Sequence, residues 1–362
     1  MKSIALLPGD GIGPEVIAEA KKVLAAVGAA YGREMTFESY PFGGAGIDEC
    51  GDPYPEVTAA GIRRSSAILL GAVGGPRWDA LPLEQRPERG ILRLRADLDV
   101  YANLRPVRVH DVLLSYCPLR PELAKGTDLV IVRELTAGIY YGERGRSRAN
   151  GEWQAYDTCT YTASQIERVV RAGFETAQKR RKILHSVDKA NVMTTSGLWR
   201  EIVGDLAPEY PDVKVHHLLI DNAAMQMMRS PSQFDVLVTE NLFGDILSDE
   251  ASMLAGSIGM IPSASLGPDV SLYEPIHGSA PDIAGLGLSN PIGTILSAAM
   301  MLRHSFGWEA EADAVEAAVF RVLEEGYRTR DMTKVGTEAV TTSEMGSLVA
   351  EEVLKMSAKV AG

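Results

Sequence analysis

Two aspartates, Asp245 and Asp249, have the spacing of a pair that could bind a divalent cation. They lie in the segment TENLFGDILSDEAS (239–252), which follows an apolar run and has the pattern of a helix. Residues four apart on a helix share a face, and two carboxylates placed there repel each other unless a cation offsets their charge. Mg²⁺ and Mn²⁺ prefer carboxylate oxygens. The spacing is therefore typical of a metal site, although a solvated acidic helix face would show the same pattern.

Two further candidates, Lys189 and Asp221, each follow an apolar run that has the pattern of a strand. Asp221 comes directly after residues 213–220 and could supply a third metal ligand. Lys189 follows Ile183–Val187 and stands beside Asp188. A lysine close to a metal could move protons, whereas its ordinary use is a surface ion pair.

Arginines form a second group that could bind an anion. Arg133 ends the apolar run 129–132, and Arg95 and Arg105 stand near the predicted ends of other elements. Open α/β sheets bind ligands at strand ends, and the planar guanidinium matches a carboxylate with two hydrogen bonds. Each arginine alone is more often a surface residue. Together with a metal site, they indicate a substrate that carries carboxylates.

Two glycine-rich loops could approach a nucleotide. The first, PGDGIGP (8–14), differs from the Rossmann fingerprint because Pro14 stands where the third glycine is required, so a tight strand-to-helix turn is favoured. The second, EPIHGSAPDIAG (274–285), contains His277, Ser279 and Asp282. Its backbone N–H groups could reach a phosphate, and its acid could reach a ribose hydroxyl. His277 could equally be a loop histidine without a ligand.

The elements that would position these residues alternate between short apolar runs and amphipathic stretches. This pattern predicts an α/β fold with buried strands. The predicted strands are Ile4–Leu7, Ala67–Leu70, Leu129–Val132, Ile183–Val187, 213–220 and Phe234–Val238. A helix is predicted to begin near Pro14, since proline and an acid suit the first helical turn. Residues 139–162 are rich in aromatics and threonine and predict hairpin strands that could pair with another chain or remain solvated.

Composition limits the class of protein. The chain has 362 residues, which suggests two domains, and 46% of them are apolar and 23% charged, as in globular proteins. The net charge of −12 argues against partners such as nucleic acid or an anionic membrane. Its three cysteines lack metal-ligand spacing, no run is long enough to span a bilayer, and no secretory leader is evident. We therefore expect a soluble, cytoplasmic protein.

The motifs resemble, in order, those of the β-hydroxyacid oxidative decarboxylases, the isocitrate/isopropylmalate dehydrogenase family. They are LLPGDGIGPEV (6–16), GGPRWDALP (74–82), RPERGILRLRADLDVYANLRP (86–106), VRELTAGIYYGE (132–143), VDKANV (187–192), TENLFGDILSDEAS (239–252), IPSASLG (261–267) and HGSAPDIAG (277–285). The resemblance covers essentially the whole chain and is strongest to the isopropylmalate branch, because isocitrate enzymes differ within RELTAGIYYGE.

The resemblance implies a substrate site with an apolar wall. Glu88, Ile91 and Leu92 match the positions that pack the isopropyl group of the substrate, with Val192 nearby, whereas isocitrate enzymes place a serine there for a third carboxylate. An apolar wall would penalise a buried, unpaired carboxylate. The implied reaction is NAD-dependent oxidative decarboxylation of 3-isopropylmalate to 4-methyl-2-oxopentanoate, a step of leucine biosynthesis.

The resemblance also assigns roles to single residues. Arg95, Arg105 and Arg133 would hold the carboxylates of the malate. The catalytic residues would be Tyr140 and Lys189 as the acid and base, with Asp221 assisting Lys189 through a water. Asp245, Asp249 and Asp221 would bind Mg²⁺ or Mn²⁺, with Asp221 and Lys189 coming from the second subunit of a homodimer that shares its active sites. The NAD site would comprise His277, Gly278, Ser279, Ala280, Asp282, Ile283 and Asn290. Asp282 and Ile283 match the NAD rather than the NADP pattern.

The implied fold is not Rossmann-like. It has two α/β domains that share one twisted mixed sheet. Residues 1–100 and 256–362 would form the cofactor-binding domain, and residues 101–255 the domain for dimerisation, metal and substrate. The hairpins near 139–162 would form a dimer clasp. The alternatives left open are a tartrate/D-malate or homoisocitrate dehydrogenase, a metal-dependent phosphohydrolase using the same aspartates, and a non-catalytic subunit.

Overall fold

The computed structural model describes residues 1–333 and 338–360. Its strands are β1 (Lys2–Gly9), β2 (Met35–Ser39), β3 (Ala67–Ala72), β4 (Ala102–Arg108), β5 (Asp128–Glu134), β6 (Arg144–Ala149), β7 (Glu152–Asp157), β8 (Ile183–Asp188), β9 (Lys214–Leu219), β10 (Val236–Thr239), β11 (Pro262–Leu266) and β12 (Leu272–Pro275). Its α-helices are α1 (Gly13–Tyr31), α2 (Gly44–Cys50), α3 (Glu56–Ile62), α4 (Pro87–Asp97), α5 (Pro121–Ala124), α6 (Ala163–Gln178), α7 (Thr194–Leu206), α8 (Ile220–Arg229), α9 (Asn241–Ser252), α10 (Ile292–His304), α11 (Glu309–Glu324) and α12 (Thr342–Val360). Over these ranges, no helix is both long and apolar enough to cross a membrane.

Ten strands form one mixed sheet in the order β2-β1-β3-β12-β11-β4-β5-β10-β8-β9. The α/β class and the shared mixed sheet predicted from the sequence are confirmed. One end of the sheet comes from residues 1–100 and 256–362 and the other from residues 101–255, with β11 and β4 joined antiparallel between them. The domain division itself stays a prediction.

Helices cover the sheet on both faces, so strands in its interior such as β1 and β3 are buried and mostly apolar. In β1, Ile4 and Leu6 pack into one core, whereas Ala5 and Leu7 pack into another on the opposite face. Helices α1, α10, α11 and α12 pack together at one end of the sheet, and α6 and α7 pack at the other. Burial on both faces explains why the sequence shows continuous apolar runs rather than alternation.

The first glycine-rich loop is a tight strand-to-helix turn, as the sequence favoured. Gly11 has φ +57°, and a Cβ there would lie 2.0 Å from the backbone oxygen of Ser279. The N–H of Ile12 donates to the same oxygen at 2.9 Å. The loop therefore packs against the second glycine-rich loop, and α1 begins at Gly13, next to the predicted Pro14.

Several predicted strands are longer or shorter in the structure, and three of these differences concern the site or the hairpin. The strand predicted at 213–220 ends at Leu219, and α8 begins at Ile220, so that Asp221 lies in a first helical turn rather than at a strand end. The strand predicted at 234–238 begins only at Val236. Residues Gly138–Tyr140 form a 3-10 turn, so the hairpin is shorter than the aromatic segment suggests.

The hairpin, β6–β7, forms its own two-stranded sheet outside the main one. Every residue of β7 is exposed, and Trp153 lies under the guanidinium groups of Arg146 and Arg148, whose centres are 4.5 and 4.9 Å from its ring. Isolated two-stranded hairpins are marginally stable in water. A partner chain that pairs with it would supply the missing stabilisation.

A buried histidine in the main sheet gives a prediction about stability. His185 on β8 is 7% exposed, stacks on His216 at 5.1 Å and meets the ring edge of Phe234 at 4.9 Å. Burial, reinforced by His216, lowers the pKa of His185 to about 4. The unfolded chain, with a pKa of about 6.5, then binds more protons than the folded one between these values. The folded state should lose about 2–3 kcal/mol from this group as the pH falls from about 6.5 to 4.

Urea unfolding at pH 7.5 and at pH 5 would test this. His185→Leu removes the titrating group, so the free energy of unfolding of the variant should fall less between the two pH values than that of the wild type. An unchanged pH dependence would show that another group is responsible.

Candidate active site

Three arginines meet at the middle of the sheet. Arg105 on β4 and Arg133 on β5 lie on the same face, because Arg105 pairs with Ile131 and Arg133 with Asn103 in the antiparallel register. Arg95, in the last turn of α4, lies next to β12 and donates from Nη2 to Glu274 at 2.9 Å. The structure therefore brings together all three arginines predicted to hold carboxylates.

Asp245 lies at the centre of this group. Its Oδ1 accepts from Arg133 at 2.5 Å and from Arg105 at 3.3 Å, and its Oδ2 accepts from the hydroxyl of Tyr140 at 3.0 Å. Asp249, one turn further along α9, has an oxygen 3.7 Å from Arg105. The helix predicted to place both carboxylates on one face is confirmed, and that face points at the arginines.

Burial and mutual repulsion set the charge state of the arginines. Burial, together with the charge of Arg133, lowers the pKa of Arg105 to about 10. Burial also lowers the pKa of Arg133, although Asp245 partly offsets it. Burial acts on Arg95 in the same direction, but Glu274 outweighs it and the pKa is raised. All three remain cations at neutral pH, and each is desolvated, so an anion bound among them would be held strongly.

The negative charges of Asp245 and Asp249 are offset by neighbouring arginines to different extents. Burial opposes ionisation of Asp245, but Arg133 and Arg105 outweigh it and lower its pKa. The pKa of Asp249 is raised, because burial and the charge of Asp245 exceed the effect of Arg105. Asp249 thus presents an incompletely compensated carboxylate next to another one. This arrangement fits a divalent cation, which would lower both costs.

The rest of the proposed metal site is not in the same place. Among residues 1–333 and 338–358, no group of three or more His, Cys, Asp or Glu side chains is close enough to hold a metal ion. Asp221 instead accepts from Lys189 Nζ at 2.7 Å, which lowers the pKa of Asp221. Lys189 and Asp221 thus form a separate ion pair. Lys189 lies in the loop that follows β8, and Asp221 lies in the first turn of α8.

Several supporting residues were not singled out from the sequence. Asn241 Oδ1 accepts from Arg133 Nε and Nη2 at 3.1 and 2.7 Å. Arg105 is held by Asn103 at 2.7 Å and by Ser248 at 2.6 Å, and Arg95 by Glu274. Asn241 and Glu274 stood inside the two motifs already recognised, so a polar residue next to each candidate was the available signal. Asn103 and Ser248 also stand inside recognised motifs, at 86–106 and 239–252, so the same signal applied to them.

The predicted apolar wall divides into two places. Ile91 and Leu92 are half-buried on α4, and the backbone oxygen of Leu92 accepts from the hydroxyl of Tyr141 at 3.2 Å. Glu88 is exposed on the same helix. Val192 is 72% exposed and lies in the loop that follows β8, beside Lys189 rather than beside α4.

The second glycine-rich loop begins directly after β12, two residues beyond Glu274. His277 Nδ1 lies 2.9 Å from the backbone oxygen of Gly278, while its Nε2 is buried and has no partner among the described residues. A Cβ on Gly278 would meet nothing within 4 Å, and Ala280 has φ +38°. Asp282 is exposed and Ile283 half-buried. The loop thus offers open backbone and an unpartnered nitrogen, which fits a bound nucleotide.

The far end of this loop is anchored to the body of the protein. Asn290 Nδ2 donates to Asp331 at 3.0 Å, and its Oδ1 accepts from the N–H of Ile292 at the start of α10. Glu15 in the first turn of α1 accepts from the N–H of Gly285 at 2.5 Å. The far end of the loop is therefore fixed at two points and its near end continues from β12, which would keep its backbone in place for a ligand.

A mixed α/β sheet carrying a cluster of buried arginines, a carboxylate pair and an anchored glycine-rich loop defines an enzyme fold for anionic small molecules. The family model of isocitrate/isopropylmalate dehydrogenases matches residues 3–349. The chain is 58% identical over 359 residues to 3-isopropylmalate dehydrogenase of Geobacillus kaustophilus, covering 98% of this chain and 96% of the relative. It is 54% identical to the 3-isopropylmalate dehydrogenase of Aquifex aeolicus, covering 98% and 97% of the two chains.

Solved structures agree with these relatives. Isocitrate dehydrogenase from Methylococcus capsulatus has a TM-score of 0.87 at 35% identity and covers 98% of this chain and 100% of its own. A β-decarboxylating dehydrogenase from Thermococcus kodakarensis has a TM-score of 0.79 at 38% identity, with 98% and 97% covered. The chain belongs to the isocitrate/isopropylmalate dehydrogenase family.

Proposed function

We propose that this chain is an NAD-dependent 3-isopropylmalate dehydrogenase, which oxidises and decarboxylates 3-isopropylmalate to 4-methyl-2-oxopentanoate. The observation that carries the proposal is the cluster of three desolvated arginines, of which Arg105 and Arg133 bind the Asp245 carboxylate and Arg95 comes from α4. The same helix carries the half-buried side chains of Ile91 and Leu92. A dicarboxylate with an alkyl branch needs both features. The identity of 52–58% to relatives named for this activity supports the same substrate.

Arg95, Arg105 and Arg133 would bind the two carboxylates of the substrate, with Ile91 and Leu92 against its alkyl branch. Asp245 and Asp249, with the partner subunit's Asp221, would hold Mg²⁺ or Mn²⁺, whose charge favours ionisation of the C2 hydroxyl and stabilises the developing oxyanion. Removal of the hydroxyl proton would fall to the partner's Lys189, directly or through a water and Asp221, while C2 passes its hydride to NAD⁺. Breaking the bond to the C3 carboxylate then releases CO₂ and leaves an enolate.

Tyr140 would return a proton to C3. Burial and the neighbouring Asp245 raise its pKa to about 12, so the hydroxyl stays protonated at any physiological pH and is available as a donor. Its hydrogen bond to Asp245 Oδ2 fixes where that proton points. The phenol is therefore suited to act as an acid, and the separate Lys189–Asp221 pair as the base.

Exposed apolar side chains support the proposal of a homodimer with shared sites. Met225 on α8 is 62% exposed, and Ile246 on α9 and Met253 just after it are 56% and 47% exposed. These helices carry Asp221 and the Asp245–Asp249 pair. Large apolar side chains on a pair of adjacent helices are typical of a subunit interface. We propose that a second copy covers them, brings its Lys189, Val192 and Asp221 to this site, and that the enzyme acts in the cytoplasm.

The direct test is spectrophotometric NADH formation with 3-isopropylmalate, D-malate, tartrate, homoisocitrate and isocitrate, each with and without Mg²⁺. We expect the highest kcat/KM with 3-isopropylmalate. A higher value with another 2-hydroxy acid would reassign the substrate. Phosphate release without NAD, or no turnover at all, would overturn the proposed reaction.

The cofactor assignment gives a separate prediction. NAD is proposed to bind the loop 277–285 together with Asn290, with Asp282 accepting from the ribose hydroxyls. Replacing Asp282 by lysine and Ile283 by tyrosine should shift the ratio of kcat/KM for NAD over NADP by at least about tenfold toward NADP, because the acid repels a 2′-phosphate and lysine pairs with it. Exposed Asp269, outside the loop, serves as a charge-matched control when replaced by lysine. An unchanged ratio in the loop variant would exclude the ribose assignment.

A further inference from the structure

A cavity of about 310 Å³ lies on the face of the sheet opposite the arginine site. Leu104, Pro106 and Val130 form part of its wall, and the side chains of a strand alternate between faces. On β4, Leu104 and Pro106 therefore flank Arg105 in sequence, but their side chains lie on the opposite face. Val130 on β5 pairs with Pro106 and lies on the same face as it. The cavity thus shares its two central strands with the proposed active site without sharing side chains.

The cavity bridges the two ends of the fold. Thr176 on α6 lines one side, and Met300 on α10 and Phe320 on α11 line the other. Its floor is apolar and buried: Leu104, Val130, Leu296 and Met300 are between 6% and 8% exposed. A concave apolar site of this volume is at the small end of the range for small-molecule pockets, about 300–1,000 Å³.

The charged groups at the rim are mostly paired. Arg180 binds Asp128 at 2.8 Å and the buried Asp235 at 2.8 Å, and Arg181 lies 3.6 Å from Asp235. These two arginines balance those two acids. On the other side of the rim, Arg303 binds Glu316 at 2.5 Å. It also binds Asp313 and Glu309, whose side chains are 71% and 67% exposed and project toward solvent.

One cation of the lining is left without an acid. Arg108, the last residue of β4, makes no ion pair and no side-chain hydrogen bond with any residue in the described ranges. It is exposed at the mouth of the cavity. Asp128 stands opposite Arg108 in the register of β4 and β5, but the lining as a whole has three arginines against two acids and so carries one net positive charge above an apolar floor.

We infer that this cavity is a second ligand site, which takes a small aliphatic monocarboxylate with its chain on the floor formed by Leu104, Val130 and Met300 and its carboxylate on Arg108. The site is separate from the proposed reaction. Binding there needs no turnover, so this inference can fail or hold whatever the fate of the proposed function.

Isothermal titration calorimetry with octanoate would test the inference on the intact protein. We expect one saturable site per chain, retained in the presence of saturating 3-isopropylmalate and Mg²⁺. Arg108→Gln should weaken binding about tenfold or more, as expected for loss of a charge-assisted hydrogen bond. Thr176→Phe, from a half-buried helix position, should abolish binding by filling the cavity.

Controls separate this site from others. Arg120→Gln removes an exposed arginine outside the cavity, which lies 3.7 Å from Glu122, and should leave the affinity for octanoate unchanged. The neutral analogue 1-octanol should bind the wild type and Arg108→Gln equally. Absence of saturable octanoate binding, its loss on adding the dicarboxylate, or equal affinity in wild type and Arg108→Gln would each overturn the inference.

Discussion

A Lys189→Met variant is expected to lose about 10²- to 10⁴-fold in kcat while retaining its fold, the range associated with a positioned general base. Lys189 Nζ lies 2.7 Å from Asp221 and is its ion-pair partner; 25% of the lysine side chain and 59% of the aspartate side chain are exposed. A partly exposed pair of this kind contributes about 0–1 kcal/mol to stability. The loss should therefore appear in turnover and not in the unfolding midpoint.

A matched control lies in the same part of the molecule. Lys182, just before β8, pairs with Asp212 at 3.0 Å, with 51% and 41% of the two side chains exposed. Lys182→Met removes a comparable ion pair away from the site, so its kcat should stay within a factor of about two of the wild type. If Lys189→Met turns over 3-isopropylmalate at a near-normal rate, Lys189 is not the base.

KM and kcat should separate in these variants. Lys189 is proposed to act only on the hydroxyl proton, whereas the arginines are proposed to hold the carboxylates in ground and transition states alike. Lys189→Met should therefore keep a KM close to that of the wild type. A large rise in KM with little change in kcat would instead place Lys189 in substrate binding.

The central sheet could be predicted from the sequence because its strands are buried on both faces. The run at 129–132 is apolar without interruption, and the run at 183–187 is apolar apart from His185 and Ser186; both are strands in the structure. The ends of the strands could not be predicted in the same way, because they depend on backbone dihedral angles that composition does not show. Ile220 continues the apolar run of β9, yet the chain turns into α8 there, because Leu219 already has the extended conformation of a helix N-cap.

The sequence predicted the site residues only where their spacing along a helix determines that they lie on the same face. Asp245 and Asp249 share a helix face by their spacing alone, and α9 places them as expected. The partners of the arginines were not predictable in this way, since Arg95 meets Glu274 across 179 positions and Arg105 meets Ser248 across 143. Such contacts arise from the sheet order, which joins β11 to β4 and so brings distant segments together.

The net charge of −12 describes the surface of the protein and not the site. Arg105 and Arg133 are 5% and 1% exposed, and Asp245 offsets only part of their charge. The sheet therefore holds a local positive region inside an acidic molecule. A substrate anion is attracted at short range, where low dielectric strengthens the interaction, although the long-range field is unfavourable.

Asp249→Asn is expected to abolish metal-dependent turnover while leaving the cation-free protein as stable as the wild type or more so. Burial and the charge of Asp245 raise the pKa of Asp249, which means that its ionised form is disfavoured in the folded state. Neutralising it removes that cost, since linkage requires a carboxyl with a raised folded-state pKa to destabilise the fold above its unfolded pKa. The same change removes a proposed cation ligand.

Asp245→Asn should behave differently because its charge is already compensated. Arg133 and Arg105 lower the pKa of Asp245, so its loss leaves the buried Arg133 without a carboxylate partner and Arg105 with only Asp249 at 3.7 Å. Removing one partner of a buried ion pair costs about 3–5 kcal/mol. Both variants should lose activity, but only Asp245→Asn should unfold at a markedly lower urea concentration.

Thermal melting in chelator and in Mg²⁺, with calorimetric titration of Mg²⁺, measures both effects. The wild type should gain stability on adding Mg²⁺, and Asp249→Asn should show neither that gain nor saturable binding. Glu250→Gln, the next residue on the same helix, should keep both, because it lies outside the pair. Mg²⁺ stabilisation that survives in Asp249→Asn, or turnover that survives thorough chelation, would show that this carboxylate pair does not form the metal site. The repulsion between the two carboxylates would then have no bound cation to explain it.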